Sequence, residues 1–206
     1  MELITFLQKS HFDCLPNDTE AMYLIGLPLT YVEGGTFKDL PLKQLTMQFC
    51  DLTKIPDLEG VGKTLEVLSM SYNKIKSISA RDFIFCHVLH TLELPWNQLS
   101  IFPNLQPVMN TLKYAIFANN LIESFAETIY MPAMRDLVMG DNALEDLDVN
   151  RLFQMFPNMH TLDVSENKIR NIKDFGQNLC DRLGGDDYFV LVSVSNEKLH
   201  IHTYIT

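Results

Sequence analysis

Apolar residues recur along this chain in one fixed spacing: apolar, two variable positions, apolar, one variable, apolar, two variable, then an amide. "LKQLTMQFC" begins at Leu42, "LEVLSMSYN" at Leu65, "LHTLELPWN" at Leu89, "LKYAIFANN" at Leu112, "MRDLVMGDN" at Met134 and "MHTLDVSEN" at Met159. The starts lie 22 to 25 residues apart. Each unit adds an apolar residue two places on (Leu52, Ile75, Leu99, Ile122, Leu144, Ile169). Another follows three later (Ile55, Ile78, Phe102, Phe125, Leu147, Ile172). A looser copy, "TEAMYLIGL" from Thr19, has Met22 and Leu24 in phase but Leu27 where the amide belongs. Alternation in the first half of each unit predicts a short strand with successive side chains on opposite faces. Such a unit cannot bury its apolar face alone, whereas a stack of them forms one continuous core. Asn both donates and accepts hydrogen bonds. Inside each turn it can satisfy backbone groups otherwise buried unpaired. Asn73, Asn97, Asn120, Asn142 and Asn167 therefore predict a ladder, with the weaker donor Cys50 in the same place.

The second halves differ. In "SARDFIFCHVL" Ser79 precedes Asp82 by three, as in a helix cap, and "LDVNRLFQMF" has the spacing of a short helix. "IFPNLQPV", with two prolines, reads as an extended or turn connection. The outer side is thus expected to mix short helices, 3-10 turns and loops. After Cys180 the pattern stops. Two β-rich runs, 188–194 and 198–205, surround "SNEK" and predict a hairpin shielding the last unit. The last run stops in mid-pattern, as in a piece of a longer chain.

Together these units resemble the leucine-rich repeat over residues 15 to 180. "GGTFKDLPLKQL", "ARDFIFCHVLHTL" and "RLFQMFPNMHTL" resemble the back half of typical extracellular animal repeats. Phe37 with Leu40, Phe83 with Cys86, and Phe153 with Phe156 would fill the convex side. "CLPNDTEAMYL" resembles the end of an extracellular N-terminal cap, although the cap's other cysteines are missing. So is a recognisable C-terminal cysteine cap around Cys180. The resemblance implies an α/β solenoid of about seven repeats with a parallel concave sheet. Its expected divisions are a capping segment at 1–18, repeats over 19–180 and a β-rich cap or start of a following segment at 181–206. It also implies a non-enzymatic module that binds another protein on its concave face, in extracellular immune or cell-surface recognition. The alternative is a cytoplasmic scaffold or adaptor of the same fold. Self-association through the C-terminal strand edge is a further expectation.

Composition narrows the setting. The 206 residues are 47% hydrophobic, which is incompatible with disorder. A net charge of −10 disfavours nucleic acid and anionic lipid as partners. No apolar run reaches the ~20 residues of a membrane span. The start, "MELITFLQKSHFDC", lacks the basic and apolar regions of a signal peptide, so the chain is either cytosolic or a mature form without its leader. Four widely spaced cysteines, at 14, 50, 86 and 180, match no zinc or redox spacing and leave the compartment open.

The candidate site follows from register. With the first, fourth, sixth and ninth positions inward, the eighth faces out. Along the stack it reads Gly26, Phe49, Tyr72, Trp96, Asn119, Asp141 and Glu166. Three aromatics at a strand spacing of about 4.8 Å predict a ridge of roughly 10 Å. The fifth position adds Glu93, Ile116, Val138 and Asp163; the third adds Tyr114 and Asp136. Contiguous exposed apolar surface marks an interaction site, and Trp and Tyr dominate binding hot spots. Phe49, Tyr72, Trp96, Tyr114, Ile116, Val138, Asp141, Asp163 and Glu166 are therefore the expected partner-binding residues. The second position (Lys43, His90, Lys113, Arg135, His160) reads as a solvated edge balanced by nearby acids. No phosphate loop, zinc spacing or nucleophile elbow is present. His200 with His202, and Asp186 with Asp187, read as strand and turn decoration, so no catalytic residue, cofactor or metal is expected. Asn17-Asp18-Thr19 is a glycosylation sequon, meaningful in a secreted chain.

Overall fold

A computed structural model describes residues 3–125 and 129–173, and the backbone of 189–194 and 199–202. In chain order the strands are β1 (Phe6–Leu7), β2 (Ala21–Ile25), β3 (Tyr31–Val32), β4 (Gln44–Gln48), β5 (Val67–Ser69), β6 (Thr91–Glu93) and β7 (Tyr114–Ile116). There follow β8 (Asp136–Val138), β9 (Asp146–Asp148), helix α1 (Val149–Met155), β10 (Thr161–Asp163), β11 (Asn171–Lys173), β12 (Phe189–Val194) and β13 (Leu199–His202). One sheet runs β2-β4-β5-β6-β7-β8-β10-β12-β13, parallel throughout except for the antiparallel pair β12–β13. The chain has the leucine-rich repeat architecture: each unit contributes one strand to the concave sheet and returns over the convex side.

Register is set by the apolar period. Met22, Leu45, Leu68, Leu92, Ala115, Leu137 and Leu162 are mutual partners across the sheet, and all are buried. A one-residue slip would turn this whole row to solvent. The amide ladder then locks unit to unit. Asn97 is representative. Its Nδ2 donates to Met70 O of the preceding unit at 2.9 Å and to its own Leu94 O at 3.1 Å. Its Oδ1 accepts from the Ile75 N–H at 3.0 Å. Asn73, Asn120, Asn142 and Asn167 repeat the pattern, each reaching back one unit. Cys50 reaches back to Leu24 O through its thiol at 3.7 Å, a much weaker link.

The convex side is mixed. Asp82 accepts from the Ser79 N–H at 2.6 Å at the start of a 3-10 turn, Ala80–Phe83. Pro107 lies within another, Gln106–Val108, where an extended or turn connection was expected. Helix α1 is capped by Asp148, which accepts from the Arg151 N–H at 2.9 Å. Phe37, Phe83, Phe102 and Phe156 are buried. The stacking is tight: a Cβ on Gly62 would come within 2.4 Å of the Phe85 carbonyl oxygen. The two expected C-terminal strands form an antiparallel pair, with β12 added in parallel to β10. Cys180 and the Gly-Gly-Asp-Asp stretch lie outside the described residues.

Candidate functional site

Every residue in the eighth position of its unit has a left-handed backbone. The φ angles are +71° at Gly26, +53° at Phe49, +56° at Tyr72, +58° at Trp96, +55° at Asn119, +55° at Asp141 and +52° at Glu166. The chain bends there so that the ninth side chain drops into the core while the eighth N–H still bonds the next unit. Phe49 N donates to Ser71 O (3.2 Å), Tyr72 N to Pro95 O (3.0 Å) and Trp96 N to Ala118 O (3.1 Å). Gly, Asn and Asp tolerate this region; a bulky L-residue pays about 1–2 kcal/mol. Three aromatics therefore stand where local backbone preference argues against them.

What they gain is one another. Phe49 and Tyr72 stack with centroids 4.2 Å apart and planes 14° apart. Tyr72 and Trp96 stack at 5.3 Å and 8°. The rings stay open to solvent, Phe49 at 53%, Tyr72 at 40% and Trp96 at 50% exposure. β2 and β4 end at the seventh position and β5, β6, β7, β8 and β10 at the fifth, so this ridge runs along the rim of the concave face, beyond the strands' C-terminal ends. Thr46, Ser69 and Ser71 on the neighbouring sheet surface are buried, and the Gln48 amide donates to Ser69 Oγ at 2.8 Å.

The other expected residues form a second group on the strands themselves. Tyr114 is exposed between Thr91 and Asp136. Ile116 and Val138 are half-buried and lie in one row with Glu93 and Asp163. Asp163 is half-buried and accepts from the Ser165 N–H at 2.9 Å. Asp141 and Glu166 are exposed and continue the rim row past Asn119. Two exposed residues of β2, Tyr23 and Ile25, are absent from the residues expected from sequence. They hold the fifth and seventh positions of the loosest unit, and reading those positions there would have found them. The second-position row is charge-balanced in part: Lys43 pairs with Glu20 at 2.6 Å, and His90 lies 3.5 Å from Glu66.

Asn17 is exposed on a turn in which the Thr19 hydroxyl donates to Pro16 O at 2.7 Å. Cys14 is exposed, Cys50 and Cys86 are buried, and all three are free thiols. Burial pushes the Cys86 thiol pKa up to about 12, and the Cys50 thiol is raised by the same cause. Among the described residues no group of three or more His, Cys, Asp or Glu is placed to hold a metal ion, and no helix is long and apolar enough to cross a membrane.

The geometry defines a leucine-rich repeat fold, and solved structures agree. The chain is similar to Toll as seen in the Drosophila Toll–Spatzle complex, with TM-score 0.70 and 20% identity over 94% of this chain and 27% of that one. It is similar to the APL1 leucine-rich repeat domain, with TM-score 0.55 and 15% identity over 94% of this chain and 62% of that one. A leucine-rich repeat protein of Leptospira interrogans matches with TM-score 0.56 and 20% identity, over 80% of this chain and 47% of that one. The chain thus spans less than two thirds of each of these structures. No protein-family model and no curated protein sequence matches it.

Proposed function

We propose that this chain is a protein-binding recognition module, and that its partner docks on the rim ridge Phe49–Tyr72–Trp96 and the adjoining concave surface. One observation carries the reading. Three aromatics occupy left-handed positions at a backbone cost, stack in register and remain exposed. Core packing does not account for rings left half open to water, whereas a hot-spot surface does. Tyr114, Ile116 and Val138 extend the contact over the sheet; Asp141, Asp163 and Glu166 give its far end an acidic character suited to a partner with basic groups. The similar structures include Toll in complex with Spatzle and the LRIM1/APL1C complex, which supports a protein partner over a catalytic role. An extracellular setting is our reading, with Asn17 as the glycan site and the cytoplasm as the alternative. Pull-downs from extracellular fluid and from cytosol of the source organism test both points, using wild type and Trp96→Ala. A protein retained by wild type and lost with Trp96→Ala supports the site, and the fraction it comes from assigns the compartment. Retention that Trp96→Ala leaves intact rejects the ridge. Sugar on Asn17 and a cleaved leader in the native product support secretion; their absence supports the cytoplasm.

A further inference from the structure

The row of stacked rings has an empty place at one end. Gly26 holds the eighth position of the unit beginning at Thr19 and shares the backbone of that row. Its φ is +71°, and its N–H donates to Gln48 O at 2.9 Å, as Phe49 N does to Ser71 O. Conformation does not demand glycine here, since Phe49, Tyr72 and Trp96 adopt the same left-handed region. Packing does not demand it either. A Cβ on Gly26 meets nothing within 4 Å, whereas one on Gly62 would come within 2.4 Å of a carbonyl oxygen. The space beside Phe49 is therefore open.

The rings report the same vacancy. Tyr72 has a stacked ring on each face and is 40% exposed. Phe49 has a ring on one face only among the described residues, and is 53% exposed. At the other end of the stack the place after Trp96 is taken by Asn119, which is half-buried. One strand step of about 4.8 Å is close to the stacking distance of two rings, and Phe49 and Tyr72 realise it at 4.2 Å.

We infer that the place over Gly26 is a slot for one aromatic side chain of the partner, stacked on the free face of Phe49 in line with Tyr72 and Trp96. This rests on the reading of the ridge as a partner-binding surface and names the group that the ridge takes. The surroundings choose the occupant. Tyr23 and Ile25 are exposed on the adjoining strand and offer apolar surface to the edge of a ring. An arginine would also stack, but it needs a carboxylate for its fork of donors. Asp51 is the single charged residue at the fifth, seventh, eighth and tenth positions of the first two units, and Lys74 already holds it at 2.7 Å. A ring needs no such partner.

The test titrates the full chain with N-acetyl-L-tryptophanamide, followed by nuclear magnetic resonance. The Gly26 amide and the Phe49 ring protons should shift saturably in the millimolar range, with contacts from the indole to Phe49. N-acetyl-L-leucinamide and N-acetyl-L-argininamide should bind at least about tenfold more weakly. Gly26→Phe fills the slot from within and should abolish the shifts, whereas Gly26→Ala leaves room for a ring and should keep them. Should Gly26→Phe not fold, the indole contacts to Phe49 in the wild type decide alone. No saturable shift, shifts confined to Trp96 and Asn119, or equal binding of the arginine probe overturns the inference. So does binding that a folded Gly26→Phe leaves intact. The Trp96→Ala pull-down reads the other end of the stack, so the ridge can hold a partner even where this slot proves empty.

Discussion

A single amide does several jobs in each unit. Asn97 closes bonds to Met70 O, Leu94 O and the Ile75 N–H, all buried. Asn97→Ala leaves the Ile75 N–H without its acceptor and takes one of two amide donors from each carbonyl, since Met70 O keeps Asn73 and Leu94 O keeps Asn120; it should destabilise the fold by about 1–3 kcal/mol, read as a lowered denaturation midpoint. An unchanged midpoint would count against the ladder. Its neighbour Trp96 inverts the usual rule for surface substitutions. At φ +58° a β-branched side chain is strongly disfavoured, whereas glycine relieves strain. Trp96→Val should therefore lower the melting temperature by more than Trp96→Gly does, although valine is the closer hydrophobe. The same indole should emit at long wavelength and be quenched by iodide, consistent with its 50% exposure. Its outward direction was legible in the sequence because Leu94 and Asn97 fix the register on either side. The left-handed backbone was not, because aromatic residues carry no local signal for it. It arises from a turn that only the stacked ladder imposes.

Elements here are short, and their stability comes from neighbours in the stack. Most strands of the sheet have three residues, too few to hold alone. What joins the units on the convex side is close backbone approach. Gly62→Ala places a Cβ 2.4 Å from Phe85 O and 2.5 Å from Phe85 C, so a whole connection must move. The expected loss is about 1–3 kcal/mol, measured by denaturant titration. A silent Gly62→Ala would show that the third unit's turn yields freely. The strands, the ladder and α1 were readable from spacing, since the apolar period changes where the structure does. The 3-10 turn at Gln106–Val108 was less so: two prolines exclude a regular helix but do not choose among turns. The pairing of Leu7 with Val32 was not legible, because two residues are too short a run to show alternation.

At the scale of the whole molecule the solenoid has two unlike ends. At the C-terminal end β12 and β13 continue the sheet past β10. Removing residues 186–206 strips both strands and bares the β10 edge. The shortened protein should melt lower or self-associate, seen by calorimetry and light scattering. A monomer of unchanged stability would make the tail an independent extension. A quasi-one-dimensional chain has stability that adds along its length, so damage at either end should stay local until it reaches the rungs beside it.

The rungs are not equal. From Asn73 onward each link to the preceding unit is an amide with bonds near 3 Å, but the first link is the Cys50 thiol at 3.7 Å from Leu24 O. The structure therefore has a direction in which it comes apart. Pulled or warmed, the unit beginning at Thr19 should peel away before its neighbours, like the loose end of a zip fastener. In hydrogen exchange under native conditions, amides of β2 and β4 should open at lower free energy than those of β6 and β7. Cys50→Asn should narrow that gap. A chain that opens from its middle outward would show instead that the thiol rung holds as firmly as the amides do.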